Sequence, residues 1–174
     1  MKEVLDELTF REIIGYSIVA EKASRKTYLE FAENVVGELK GKKFRKLAEE
    51  EEMHSHELKK IHQNEFGDKK IKFPKDKELP PHEAEIDVGT TESMIESLQA
   101  ARQNELNAEK IYRYLAKEKK LYKDTFEHLA NMERKHYDIL KDEVDFHTDG
   151  KDQSPGEDIT PDPKEIGKES TFVR

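Results

Sequence analysis

The chain has 174 residues, 39 acidic against 31 basic side chains, a net charge of −8 and no cysteine. The length suits one domain with a real core, the acidic balance argues against general nucleic-acid binding, and the missing cysteines exclude disulfides, zinc ribbons and iron–sulfur clusters. Charged residues reach 40% against 34% hydrophobic, which suits an elongated helical protein with solvated outer faces. The opening MKEVLDELTF has no apolar leader, and no stretch is long enough to span a bilayer. The expected location is the cytoplasm, with neither a membrane nor nucleic acid as partner.

Residues 1–8 read as a short lead-in. Thr9 and Glu12 form a capping box that opens a first long helix, with an inward stripe of Phe10, Ile14, Ser17, Glu21, Tyr28, Phe31 and Val35. Gly37 and Gly41 bracket a turn. A second helix is expected over 42–66, inward at Phe44, Leu47, Ala48, Glu51, His54, Leu58 and Ile61, with Gly67 as its C′ residue. Residues 68–89 hold three prolines and scattered lysines, which preclude a long helix. A third helix starts near 90–93, where Ser93 and Glu96 offer a second capping box. Its stripe is Met94, Leu98, Ala101, Glu105, Ala108, Tyr112 and Leu115. After a turn at 118–122 the fourth helix runs to about 147, inward at Phe126, Leu129, Ala130, Glu133, His136, Leu140 and Val144. From Thr148 the chain is polar, with three prolines and three glycines, and is expected to be disordered or loosely laid on the surface. The expected division is a helical domain over 1–147 and a tail over 148–174.

The second and fourth helices repeat one pattern. FRKLAEEEEMH (44–54) and FEHLANMERKH (126–136) align at a constant offset of 82, pairing Phe44 with Phe126, Glu51 with Glu133 and His54 with His136. On a helix, residues three apart are neighbours one turn apart, so each Glu and its His can aim at one point. The first and third helices repeat another pattern at an offset of 84. Glu21 precedes Tyr28 and Phe31-Ala32 as Glu105 precedes Tyr112 and Leu115-Ala116. A spacing of seven is close to two turns, so each Tyr shares a face with its Glu.

Taken singly these residues mean little: a Glu in so acidic a chain is usually solvated, a lone inward His is as often a satisfied core residue, and a Tyr usually packs. The set is different, because six polar groups recur in register with an apolar frame, and buried carboxylates are costly unless paired or bound to metal. Four Glu and two His from four helices are the ligand set of a di-iron or di-manganese carboxylate bundle.

On these motifs, Glu-x6-Tyr-x2-Phe-Ala and Leu-Ala-x2-Glu-x2-His, residues 9–147 resemble the ferritin-like di-iron carboxylate superfamily, closest to its rubrerythrin-type four-helix bundles. The resemblance implies an all-α antiparallel bundle of two helical hairpins joined by a long crossover, for which residues 68–89 would serve. It implies a cofactor of two iron ions, with manganese also suited to the O/N donor set. Glu51 and Glu133 would bridge the ions, Glu21 and His54 would complete one, Glu105 and His136 the other, and Tyr28 and Tyr112 would hydrogen-bond the ligand carboxylates.

The activity so implied is oxidation with O2 or hydrogen peroxide, of ferroxidase or peroxidase type, in iron handling or oxidative-stress defence. The electron donor would be external, since there is no Cys-x-x-Cys rubredoxin module. One alternative is a di-iron oxygenase of a small organic substrate, with Ala48, Ala101 and Ala108 lining an apolar pocket. Another is a non-enzymatic metal-binding stress protein. A homodimer is implied, with Tyr16, Ile18 and Val19 as the outer surface of the first helix.

The sequence also departs from the pattern. Where rubrerythrins add a further Glu on the third helix, Ala108 stands here, with Glu109 one residue further round. Where bacterioferritins place a haem-binding Met, Glu52 stands here, so no haem is expected. His56 and His128 should face solvent, His62 should be core or surface, and Glu49, Glu50 and Glu52 should form a solvated face.

Overall fold

Thr9 starts the first long helix as its sequence requires. Its hydroxyl accepts the Glu12 N–H at 3.3 Å, and the Glu12 carboxylate accepts the Thr9 N–H at 2.9 Å. The computed structural model describes residues 1–35, 37–67, 70–74, 87 and 89–149. It contains α1 (Lys2–Asp6), α2 (Phe10–Asn34), α3 (Glu38–Phe66), α4 (Thr91–Glu118), a 3-10 turn at Lys120–Tyr122 and α5 (Lys123–Asp149). No strand occurs among the described residues. The polar tail beyond 149, most of the crossover and His82 lie outside them.

Four details differ from the sequence expectation. Residues 1–8 include the helical turn α1, whose Leu5 is buried in the core. The second long helix begins at Glu38, not 42, so Gly37 (φ 109°) alone makes the turn and Gly41 sits inside α3. There its missing Cβ leaves room for the Ala32 carbonyl of α2, which a methyl would meet at 3.2 Å. The α4 cap is Thr90 with Ser93, one turn earlier than Ser93 with Glu96: the Thr90 hydroxyl accepts the Ser93 N–H at 3.1 Å and the Ser93 hydroxyl accepts the Thr90 N–H at 3.1 Å. The fourth helix extends to Asp149. Gly67 does close α3 in the left-handed region (φ 62°), as its type allows.

The four long helices form a bundle of two hairpins, α2 with α3 and α4 with α5. Cross-helix contacts fix the directions. Phe10 meets Phe66 and Phe31 meets Phe44, so α2 and α3 are antiparallel. Tyr28 meets Glu105 and Tyr112 meets Glu21, so α2 and α4 are antiparallel as well. Consequently α3 ends beside the start of α2, whereas Met94 at the start of α4 clusters with Phe31 and Phe44 at the opposite end. The end of α3 and the start of α4 therefore lie at opposite ends of the bundle, about 37 Å apart by the length of the 25-residue α2.

Residues 70–74 show where the chain after α3 passes. Ile71 packs against the core, the Arg11 guanidinium donates to the Lys70 carbonyl at 3.2 Å, and the Lys72 carbonyl lies where a Cβ on Gly15 would be. A glycine inside a helix is usually a cost; here it admits the returning backbone. This strap also corrects one expectation. Tyr16 and Ile18 are not an outer surface but are 5% and 0% exposed, in the cluster that Ile71 packs against. Only Val19 of the three is half-buried.

The apolar core is in two parts. One gathers Ile14, Leu58, Ile111, Leu115 and Phe126, the other Phe31, Phe44, Leu47, Leu98 and Leu140. Each such side chain fully buried contributes about 2 kcal/mol. Tyr112 belongs to the first part and Tyr28 to the second, and their hydroxyls meet a polar layer between the two. Among the described residues no helix is long and apolar enough to cross a membrane.

Candidate metal centre

Six polar residues make that layer: Glu21 from α2, Glu51 and His54 from α3, Glu105 from α4, Glu133 and His136 from α5. None is more than 3% exposed. All six recur in the helical register that the two repeats predict, and the fold brings them together. His54 Nδ1 lies 2.9 Å from Glu133 Oε1, 3.3 Å from Glu51 Oε2 and 3.5 Å from Glu21 Oε2. His136 Nδ1 lies 2.7 Å from Glu51 Oε1, 3.5 Å from Glu105 Oε2 and 3.6 Å from Glu133 Oε2. Glu51 and Glu133 thus turn one oxygen towards each imidazole, while Glu21 and Glu105 attend one each.

These distances are not hydrogen bonds. Both Glu51 oxygens, Glu133 Oε1 and both Nδ1 atoms are buried without a hydrogen-bond partner despite their closeness. Lone pairs that face a common point give this result. Glu51, His54, Glu133 and His136 offer ligand atoms all within 4.8 Å of one another. Buried carboxylates and imidazoles so arranged fit divalent first-row metal ions, and without a cation they would be expensive to desolvate.

The electrostatics agree. Burial, together with the negative charges of Glu133 and Glu51, pushes Glu21 well above the usual carboxyl range; burial with Glu51 and Glu133 does the same to Glu105. Burial also opposes ionisation of Glu51 and Glu133, but the close approach of neighbouring side chains, both imidazoles among them, outweighs it and holds them low. Burial disfavours charged His54 and His136, yet the surrounding carboxylates raise both far above the usual histidine value. The cluster therefore demands positive charge, from protons on the imidazoles or from metal ions that displace them.

Tyr28 donates its hydroxyl hydrogen to Glu105 Oε1 and Tyr112 donates to Glu21 Oε1, both buried. Each Tyr therefore serves the Glu of the other helix, not the one seven residues before it. Glu50 was expected on a solvated face. Its side chain is only 17% exposed, and His136 Nε2 donates to its Oε2 at 2.9 Å. Helical phase did not reveal it, because Glu50 is one step off the inward stripe and reaches inward by its length. The rule that a metal-facing imidazole gives its other nitrogen to a carboxylate is the signal that points to such a residue.

Other candidates lie elsewhere. Glu109 turns to Arg134 at 2.6 Å and Arg113 at 3.5 Å. His56 and His128 are exposed, and His62 is buried against the Phe66 ring at 5.1 Å. Of the three expected alanines, Ala48 and Ala101 are packed in the core and Ala108 lies on a cavity. That cavity is a cleft between α2 and α4 where Ser17, Glu21, Ser24, Asn104, Tyr112 and Glu133 converge. Its free volume of about 20 Å³ holds roughly one water.

No curated protein matches the chain. Among solved structures, a hypothetical protein from Pyrococcus furiosus is similar at 28% identity and a TM-score of 0.75, covering 83% of this chain and 93% of its own. An uncharacterised conserved protein from Magnetospirillum magnetotacticum shares the fold at 21% identity and a TM-score of 0.55, covering 79% of this chain and 95% of its own. The Rubrerythrin family model matches residues 12–144, from the first turn of α2 to the last turns of α5 and across all six residues of the polar layer. The chain belongs to the Rubrerythrin family.

Proposed function

We propose that the polar layer holds two iron ions and that the protein uses them to reduce O2 or hydrogen peroxide. In this reading Glu51 and Glu133 would be shared by the two ions, Glu21 and His54 would serve one, and Glu105 and His136 the other. The observation that carries it is the converging set of buried carboxylate and imidazole atoms that lie within contact distance yet make no hydrogen bonds. Four carboxylates offset the charge of two divalent ions. When bound, the pair supplies two electrons to the O–O bond of the oxidant.

The chain's own residues do the rest. Tyr28 and Tyr112 hold Glu105 and Glu21 in orientation through their hydroxyls. The apolar clusters on both sides limit water at the site. The cleft beside Glu21 and Glu133, with free volume for about one water, offers a small oxidant a place next to the cluster. A chain without cysteine needs an electron donor from outside. Iron handling or oxidative-stress defence is the role that fits this chemistry.

The test is an anaerobic Fe(II) titration counting tightly bound metal per chain, with Glu51→Ala as control. Two ions in the wild type and fewer in the variant are expected. A wild-type chain that binds none would end this reading.

A further inference from the structure

The two halves of the layer share a repeat, but they are not equally supported. His136 Nε2 is bonded to Glu50 at 2.9 Å, which leaves Nδ1 free to face the cluster. His54 Nε2 is buried with no hydrogen-bond partner. The repeat explains the difference. At the offset of 82 that pairs His54 with His136, the counterpart of Glu50 is Met132. A thioether is a weak acceptor and carries no charge, and here Met132 Sδ receives only a distant Lys135 ammonium at 3.8 Å. A carboxylate on the far nitrogen fixes the tautomer and ring of an imidazole and raises its basicity as a ligand.

A second, independent observation points the same way. The one-water cleft reaches Glu21, Tyr112 and Glu133 and does not include Glu105 or His136. Of the two outer carboxylates, Glu21 therefore borders this cleft, which gives small molecules a way to the Glu21 side of the layer.

We infer that Glu50 is a positioning residue that makes the two ion positions unequal: the Glu105/His136 position fills first and holds its ion, and the Glu21/His54 position fills second, exchanges its ion and meets the oxidant. This rests on the two-ion reading above and adds the order of filling, which the likeness between the two repeats hides.

The experiment is an anaerobic Fe(II) titration, read as stepwise binding constants against a competing chelator, on the full chain and four variants. The wild type should show two unequal steps. Glu50→Gln, which keeps the shape and removes the charge at a position still partly exposed, should weaken the first step by roughly tenfold to a hundredfold and leave the second nearly unchanged. Glu49→Gln, on an exposed neighbour, should change neither. Glu21→Ala should keep one tight ion, whereas Glu105→Ala should lose it. Two equal steps in the wild type, equal weakening of both steps by Glu50→Gln, or a tight ion surviving Glu105→Ala but not Glu21→Ala would each overturn the inference. No bound iron at all in the wild type would instead overturn the proposed function, so the two failures are distinct.

Discussion

Tyr28 on α2 hydrogen-bonds Glu105 on α4, across the bundle, and not Glu21 on its own helix. Tyr112 returns the same contact to Glu21. Two buried hydroxyls thus tie the two helices at the level of the polar layer, where α2 and α4 otherwise touch sparingly. Burial and the facing carboxylate raise both phenols well above the ordinary tyrosine value, so they remain donors. Tyr28→Phe should leave Glu105 Oε1 without its donor and lower stability by about 1–3 kcal/mol. Urea unfolding in the presence of a chelator measures this, and an unchanged midpoint would mean the bond contributes nothing.

Metal should stabilise the fold. Ions bound only by the native chain raise its stability by about 2.7 kcal/mol at a hundredfold excess over Kd. For a chain of this size that corresponds to a rise in Tm of roughly 5–10 °C. Thermal unfolding with Fe(II) under argon, with Mn(II) and with chelator makes the comparison. Three coincident curves would deny the polar layer its cations.

At the end of the bundle, Glu143 is buried beside Lys40 at 2.7 Å and Lys43 at 3.2 Å. Burial raises its carboxyl, but the two ammonium groups outweigh it and hold the group below its ordinary 4.5. A depressed folded-state value stabilises above the unfolded value and loses that stability as pH falls through the folded one. Glu143→Gln should therefore cost about 1–2 kcal/mol at neutral pH and little once pH falls below the depressed value. Acid-unfolding curves of the two proteins should converge there. A gap of constant size at every pH would show that charge is not the cause.

Gly15 lies in mid-helix, where alanine is ordinarily favoured by about 1 kcal/mol. Here a Cβ would collide with the Lys72 carbonyl and the Ile71 side chain. Gly15→Ala should cost about 1–3 kcal/mol, read from denaturant midpoints. A stabilised variant would mean that residues 70–74 do not lie against α2.

Much of the site was legible in the sequence because helices convert spacing into faces. The offsets of 82 and 84 put Glu21, Glu51, His54, Glu105, Glu133 and His136 on inward stripes before any packing was known. Thr9 with Glu12 and Gly67 marked helix ends, because capping and left-handed backbone are local chemistry.

The tertiary structure decided what periodicity cannot. The helical period says which residues share a face and not which helix that face meets. Hence Tyr28 and Glu21 share a stripe, yet Tyr28 bonds Glu105. Glu50 read as solvated because its backbone points aside, but its long side chain reaches His136 on a helix 86 residues away in sequence. Tyr16 and Ile18 read as an outer surface because the stripe facing the bundle was already assigned; the returning chain at Ile71 and Lys72, passing over Gly15, covers that side as well. Each case depends on a contact between distant segments, which only the packing of the whole chain brings about.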